Sequence, residues 1–166
     1  NKWRDKFLIF GDDELFFPKK EAIEFFNKLE KLKIKWVSQA TMTAIRDKEI
    51  MNAAAKSGCV GLMVGVESLN PETYKHFHKY QNHRKGLDEA IKYVNDLGIF
   101  TGALMILGLD TDTEESINET VDTLRKSKFL LVDFSVIRGY PGTSNYENLI
   151  KNNRIKKDWW LDSGNY

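Results

Sequence analysis

The chain predicts an α/β fold of about five parallel βα units, and three observations predict it. Short apolar runs alternate along the chain with segments of helical periodicity. The runs are apolar on successive residues, as suits strands buried on both faces of a parallel sheet. Each run stops at a loop carrying Gly or a polar side chain, followed by a residue suited to cap a helix. Alternation leaves two architectures, an open doubly wound sheet and a curved barrel. At 166 residues the chain is too short for a full eight-stranded barrel, which needs roughly 200.

Phe7-Leu-Ile-Phe10 reads as the first strand, stopped by Gly11-Asp12-Asp13-Glu14. Pro18 then suits a first helical turn, and Ala22, Ile23, Phe26, Leu29 and Leu32 recur at helical spacing. Trp36–Ala40 is the next strand, and Asp47 caps a helix whose stripe of Ile50, Met51, Ala54 and Ala55 ends at Gly58. Gly61–Glu67 follows, with Asn70 as N-cap and Pro71 opening a brief helix. The polar stretch around Gln81 breaks the periodicity. Leu87, Ala90, Ile91, Val94 and Leu97 then mark an amphipathic helix closed by Gly98. Ile99–Leu109 is a strand, Thr113 with Glu114 and Glu115 opens a helix, Leu130–Ile137 is a strand, and Thr143 after Tyr140-Pro-Gly caps a last helix.

Composition bounds the rest. With 42% hydrophobic residues the chain can bury one core, and residues 1–166 are expected to be a single domain. Lys and Arg total 25 against 24 for Asp and Glu, a formal charge of +1 that does not suit a polyanion, so nucleic acid is not an expected partner. No apolar run approaches the roughly 20 residues that span a bilayer, and no leader opens the chain, so a cytoplasmic location away from the membrane is expected. A single cysteine, Cys59, allows neither an intrachain disulfide nor a cysteine-based metal cluster. It follows Gly58 at the start of an apolar run, where a thiol acts as a small hydrophobe. His76, His78 and His83 lack the i, i+4 spacing of a two-histidine metal site, and a solvated loop explains them.

Candidate chemistry sits where the strands end. In a parallel sheet the loops Gly11-Asp12-Asp13, Gln39-Ala-Thr41, Glu67-Ser68, Gly108-Leu-Asp110 and Arg138-Gly-Tyr140-Pro141 emerge at one edge and can surround one ligand, a small-molecule substrate or cofactor. The bland explanation is solvation and helix capping, which suits Asp110 and Thr113 as well as a ligand does. Glu67 is different, since it ends an apolar run with no helix dipole to serve. Gly61, Gly65, Gly102 and Gly108 are read as points of close backbone approach.

These residues carry a resemblance. Trp36-Val-Ser-Gln-Ala-Thr with Arg46-Asp47, Gly58-Cys-Val-Gly61, Gly65-Val-Glu67-Ser-Leu-Asn-Pro-Glu-Thr73, Leu107-Gly-Leu-Asp-Thr-Asp112 and Tyr140-Pro-Gly-Thr143 resemble the catalytic domain of radical S-adenosylmethionine (SAM) enzymes. The similarity is to the cobalamin-binding subclass, which includes hopanoid methylases and anaerobic magnesium-protoporphyrin monomethyl ester cyclases. The resemblance implies a partial TIM-type (βα)6 barrel whose C-terminal mouth holds a [4Fe-4S] cluster and SAM. Reductive cleavage of SAM there starts radical chemistry, leading to methyl transfer or oxidative cyclisation.

It further implies that Asp12 and Asp13 stand in the loop that meets the SAM amino group. Glu67 and Ser68 lie toward the ribose, where a carboxylate can accept from a vicinal diol, and Gln39 is a further cofactor-binding candidate. Ile106, Gly108, Tyr140 and Pro141 flank the adenine, and Arg138 can pair with a carboxylate. One departure stands out: the family holds its cluster through a CxxxCxxC loop after the first barrel strand, and Cys59 aligns elsewhere. The expectation is that this is the C-terminal portion of the barrel. Its first strand, the cluster ligands and any cobalamin-binding domain would lie upstream, the piece would be inactive alone, and the exposed edge strand would be free to pair in a homodimer. Two other readings stay open, a cofactor-free scaffold and an enzyme binding Mg²⁺ or Mn²⁺ through Asp12, Asp13 and Glu67.

Overall fold

A computed structural model describes residues 6–12, 14–73 and 86–161, so Asp13, the three histidines and any part of the expected Pro71 helix after Thr73 lie outside the described residues. The backbone divides into two compact units, Asn1–Ser135 and Val136–Tyr166.

Five strands form one sheet in the order β1-β2-β3-β4-β5: β1 (Phe7–Phe10), β2 (Lys35–Thr41), β3 (Cys59–Glu67), β4 (Phe100–Leu107) and β5 (Leu131–Val136). The β1–β2, β2–β3 and β3–β4 pairings are parallel. Leu130 N–H donates to Thr101 O at 2.9 Å as the chain enters β5. Between the strands run α1 (Lys19–Glu30), α2 (Met42–Arg46), α3 (Lys48–Lys56), α4 (Leu87–Asp96) and α5 (Glu114–Lys126). Strictly sequential strand order has no switch point of the doubly wound kind, so barrel-type winding is the one of the two open architectures that forms.

Strand alternation makes the two sheet faces unlike. Trp36, Leu62, Val64, Val66, Ala103 and Met105 point into one core cluster that also holds Phe26, Met51, Ile91, Val94 and Leu124 from the helices. Trp36 is its centre: stacked on Phe26 at 5.3 Å, met edge-on by Phe10 at 5.5 Å, and fully buried. Its buried indole N–H needs an acceptor and donates to Ser57 Oγ at 3.0 Å, which in turn donates to Ala54 O at 2.7 Å. On the opposite face stand Ile9, Val37, Gln39, Met63 and Phe100, half-buried or exposed, with no helix of the first unit over them among the described residues.

The helix stops and starts follow local chemistry. Gly58 ends α3 at φ +100°, leading straight into β3. Asp47 caps α3 by accepting from Glu49 N–H at 3.0 Å and Ile50 N–H at 3.2 Å. The helix before it, α2, is an addition to the sequence reading: Thr41 ends β2 and caps α2 at once, its hydroxyl accepting from Ala44 N–H at 3.2 Å. Thr113 forms a capping box with Ser116 at the start of α5.

Burial raises the carboxyl pKa of Asp47, but the Lys19 ammonium at 2.7 Å and the capping N–H groups outweigh it, leaving the group below its ordinary value. A depressed folded-state pKa adds stability that is present above the ordinary carboxylate range and lost as pH falls through the folded value. Asp47→Ala is therefore expected to cost about 1 kcal/mol at pH 7. In urea titrations the gap from wild type should narrow at pH 3.

Described by itself, the second unit holds α6 (Ser144–Lys151) and a 3-10 turn at Trp159–Leu161. Thr143 caps α6 through Tyr146 N–H at 3.2 Å, and Trp159 Nε1 donates to Gly139 O at 3.1 Å.

Candidate functional site

Because β1 to β4 run parallel, Gly11 and Asp12, Thr41, Glu67 and Gly108 all leave the sheet at one edge. Glu67 is the unusual member. It closes β3 with φ +68°, a left-handed backbone that non-glycine residues seldom adopt. A three-residue turn fixes it there, Ser68 N–H donating to Val66 O at 2.8 Å. Left-handed non-glycine residues cost about 1–3 kcal/mol and gather at functional sites.

The Glu67 side chain folds back along the open face. A Cβ built on Gly65 would lie 2.8 Å from Glu67 Oε1, so the carboxylate occupies space that any other residue at position 65 would fill. The same exchange recurs beside it. Met63 Sδ lies 2.5 Å from a Cβ built on Gly102, and a Cβ on Gly61 would meet Val37 at 3.2 Å and Phe100 at 3.7 Å. The close approach expected at these glycines is thus made by side chains, not by neighbouring backbone. A larger residue on the adjacent strand covers Gly61 and Gly102, while Gly65 is covered by a carboxylate from its own strand. The result is an apolar floor with one anionic group at its C-terminal edge.

Ser68 serves the turn. It is buried, its hydroxyl accepting from Asn70 N–H at 3.0 Å and donating to Thr73 Oγ1 at 3.3 Å. Asn70 caps the following turn through Glu72 N–H at 3.0 Å, and its amide also donates to Thr111 O at 2.8 Å. Thr73 and Thr111 share a hydroxyl hydrogen bond of 2.7 Å. The loop after β3 is thereby tied to the loop after β4. In that second loop Gly108 takes φ +84°, and Asp112 Oδ2 accepts from Gly108 N–H at 2.8 Å and Leu109 N–H at 3.0 Å.

The other expected site residues fall as follows. Gln39 is exposed on the open face, in register with Met63, and helps line a concavity of about 330 Å³ with Ile9, Phe10, Val37, Gly61 and Phe100. Asp12 is exposed just past β1. Ile106 is half-buried on the open face near the end of β4. Glu67, Ile106 and Gly108 come together through adjacent strands and tied loops. Arg138, Tyr140 and Pro141 belong to the second unit, where Tyr140 O accepts from the Thr143 hydroxyl at 2.6 Å and all three residues are exposed. Asn70, Thr73, Thr111 and Asp112 were not among the expected site residues. The signal for Asp112 was present, as an acid four residues after a strand-end glycine can turn back to its amide.

Cys59 is 4% exposed, its thiol facing Gly61 O at 3.7 Å, and burial pushes its pKa up to about 12. Among the described residues no three His, Cys, Asp or Glu side chains converge as metal ligands. No described helix is long and apolar enough to cross a membrane.

Comparison with known proteins matches this architecture. A bacteriochlorophyllide d C-12(1)-methyltransferase of Chlorobaculum tepidum is 28% identical over 151 residues, covering 90% of this chain and 33% of the relative. An anaerobic magnesium-protoporphyrin IX monomethyl ester cyclase of Cereibacter sphaeroides is 29% identical over 148 residues, covering 86% and 24%. The chain thus spans about a third or less of the curated relatives it matches. The radical SAM methyltransferase TsrM from Kitasatospora setae, solved with cobalamin and a [4Fe-4S] cluster, superposes with a TM-score of 0.75 at 17% identity. The overlap takes in 88% of this chain and 30% of that one, and shows a shared fold. The sequence profile of the radical SAM superfamily matches residues 1–124, three-quarters of the chain, and the chain belongs to that superfamily.

Proposed function

We propose that this chain supplies the nucleoside-binding part of a radical SAM enzyme, a methyltransferase or an oxidative cyclase, with Glu67 as acceptor for the ribose hydroxyls of SAM. The proposal takes the chain as a portion of a larger barrel domain, in keeping with the third or less of its relatives' length that it spans. SAM and a [4Fe-4S] cluster are the cofactors of the superfamily, and the two fit this chain unequally.

For the cluster the donor set is wrong. The one cysteine is buried and holds its proton, and among the described residues no group of His, Cys, Asp or Glu gathers as metal ligands. For the nucleoside the fit is good. The observation that carries the reading is the Glu67 carboxylate seated in the space left by Gly65, beside the apolar floor and the Gly108 loop.

SAM bound there supplies the adenosyl group from which the family's chemistry starts. This chain's residues would bind and orient it: Glu67 would accept hydrogen bonds from the two ribose hydroxyls, Ile106 would offer an apolar wall to the base, and Gly108, exposed and without a side chain, would let the base approach closely. Asp12, Asp13 and Gln39 are assigned to the edge nearer the amino-acid end, and Arg138, Tyr140 and Pro141 remain part of the proposal from sequence alone. Ser68, occupied in its turn, acts by shaping the Glu67 backbone. A corrinoid requirement is proposed from the cobalamin bound in the TsrM structure, and a tetrapyrrole-like substrate from the activities the relatives are named for.

Calorimetric titration with S-adenosylhomocysteine, which presents the nucleoside and needs no iron, tests the reading. Saturable binding is expected, weakened about 10- to 100-fold in Glu67→Gln, because a charge-assisted pair of hydrogen bonds is lost. Equal affinity in the two proteins would remove Glu67 from the site.

A further inference from the structure

We infer that Asp112 is a positioning residue for this nucleoside site: its carboxylate holds the Gly108–Leu109 backbone in place against the Glu67 turn. The inference rests on the proposed SAM reading and names a residue that reading does not use.

Gly108 leaves β4 in a left-handed conformation that has few intrinsic constraints. One carboxylate oxygen removes that freedom by accepting from two successive N–H groups, at 2.8 and 3.0 Å. The return N–H of Asp112 to Leu109 O, at 2.8 Å, closes the loop on itself. The loop is then tied sideways through Thr111, whose carbonyl takes the Asn70 amide and whose hydroxyl meets Thr73. Asn70 and Thr73 both contact Ser68, the residue that follows Glu67. A short chain of hydrogen bonds therefore runs from the Gly108 amide to the turn that aims Glu67. Loss of the Asp112 anchor frees one wall of the site relative to the other without touching the ligand.

Two ligand-independent and ligand-dependent readouts separate the possibilities. In amide hydrogen exchange, Asp112→Ala should speed exchange at Gly108 and Leu109 by about tenfold or more, as expected for loss of hydrogen bonds to a charged acceptor. The same variant should bind S-adenosylhomocysteine about tenfold more weakly. Asp112→Asn, whose amide oxygen can still accept both bonds, should recover most of the loss in each. Thr111→Val, which keeps the carbonyl tie and removes the hydroxyl one, should fall between wild type and Asp112→Ala and guards against an Asp112→Ala chain that fails to fold.

Unchanged exchange at both amides overturns the inference outright. Faster exchange with undiminished binding, while Glu67→Gln weakens it, overturns the inference and leaves the SAM reading standing. No binding by the wild-type chain overturns both.

Discussion

Gly65→Ala will weaken S-adenosylhomocysteine binding about tenfold while leaving the fold nearly as stable as before. The new methyl would lie 2.8 Å from Glu67 Oε1, closer than real Cβ contacts, and something must move. What moves is the free end of a flexible side chain, so a rotamer change relieves the clash at little cost. The carboxylate leaves its seat over the sheet and the backbone does not. Loss of affinity without loss of melting temperature is the expected signature. An equal fall in both would mean that Gly65 is needed by the strand itself. Gly65→Ala combined with Glu67→Gln should be little worse than either change alone, since both remove the same aimed carboxylate.

Gly58→Ala will act the other way and destabilise the chain by about 3 kcal/mol or more. At φ +100° an L side chain is already strained, and its Cβ would come within 2.1 Å of Ile34 O. No rotamer can relieve a clash with backbone. Relief would have to come from shifting the start of β3, where Gly58 O accepts the Trp36 N–H at 3.0 Å. That bond seats Trp36, the centre of the core. Gly98→Ala is the control, because Gly98 closes α4 at φ +81° with nothing within 4 Å of an added Cβ. It should cost only about 1 kcal/mol. Urea unfolding of the two variants should differ in midpoint accordingly, and similar midpoints would refute the overlap argument.

The elements that could be read from sequence are those whose signal is local. Apolar runs ended at Gly or a polar side chain became β1 to β5, and Asp47, Asn70, Thr113 and Thr143 cap helical turns as their side chains predict. The short helix α2 was hidden because Thr41 reads as the end of a strand and only the fold makes it a cap as well. Glu67 stood out in the sequence as a charge ending an apolar run. Its left-handed backbone and the vacant space above Gly65 did not, because a turn that forces φ +68° on a glutamate has no composition signature. The ties among Asn70, Thr73 and Thr111 join residues 38 and 41 positions apart, and no periodicity reports such pairs. Cys59 was read as a buried hydrophobe and lies that way at 4% exposure.

The central claim is that the Glu67 carboxylate receives a ribose diol, and a double cycle measures it directly. Titrate wild type and Glu67→Gln with S-adenosylhomocysteine and with its 2′,3′-dideoxy counterpart. The account predicts that removing the hydroxyls weakens binding to wild type about tenfold or more and changes binding to Glu67→Gln far less. The same loss in both proteins would contradict it.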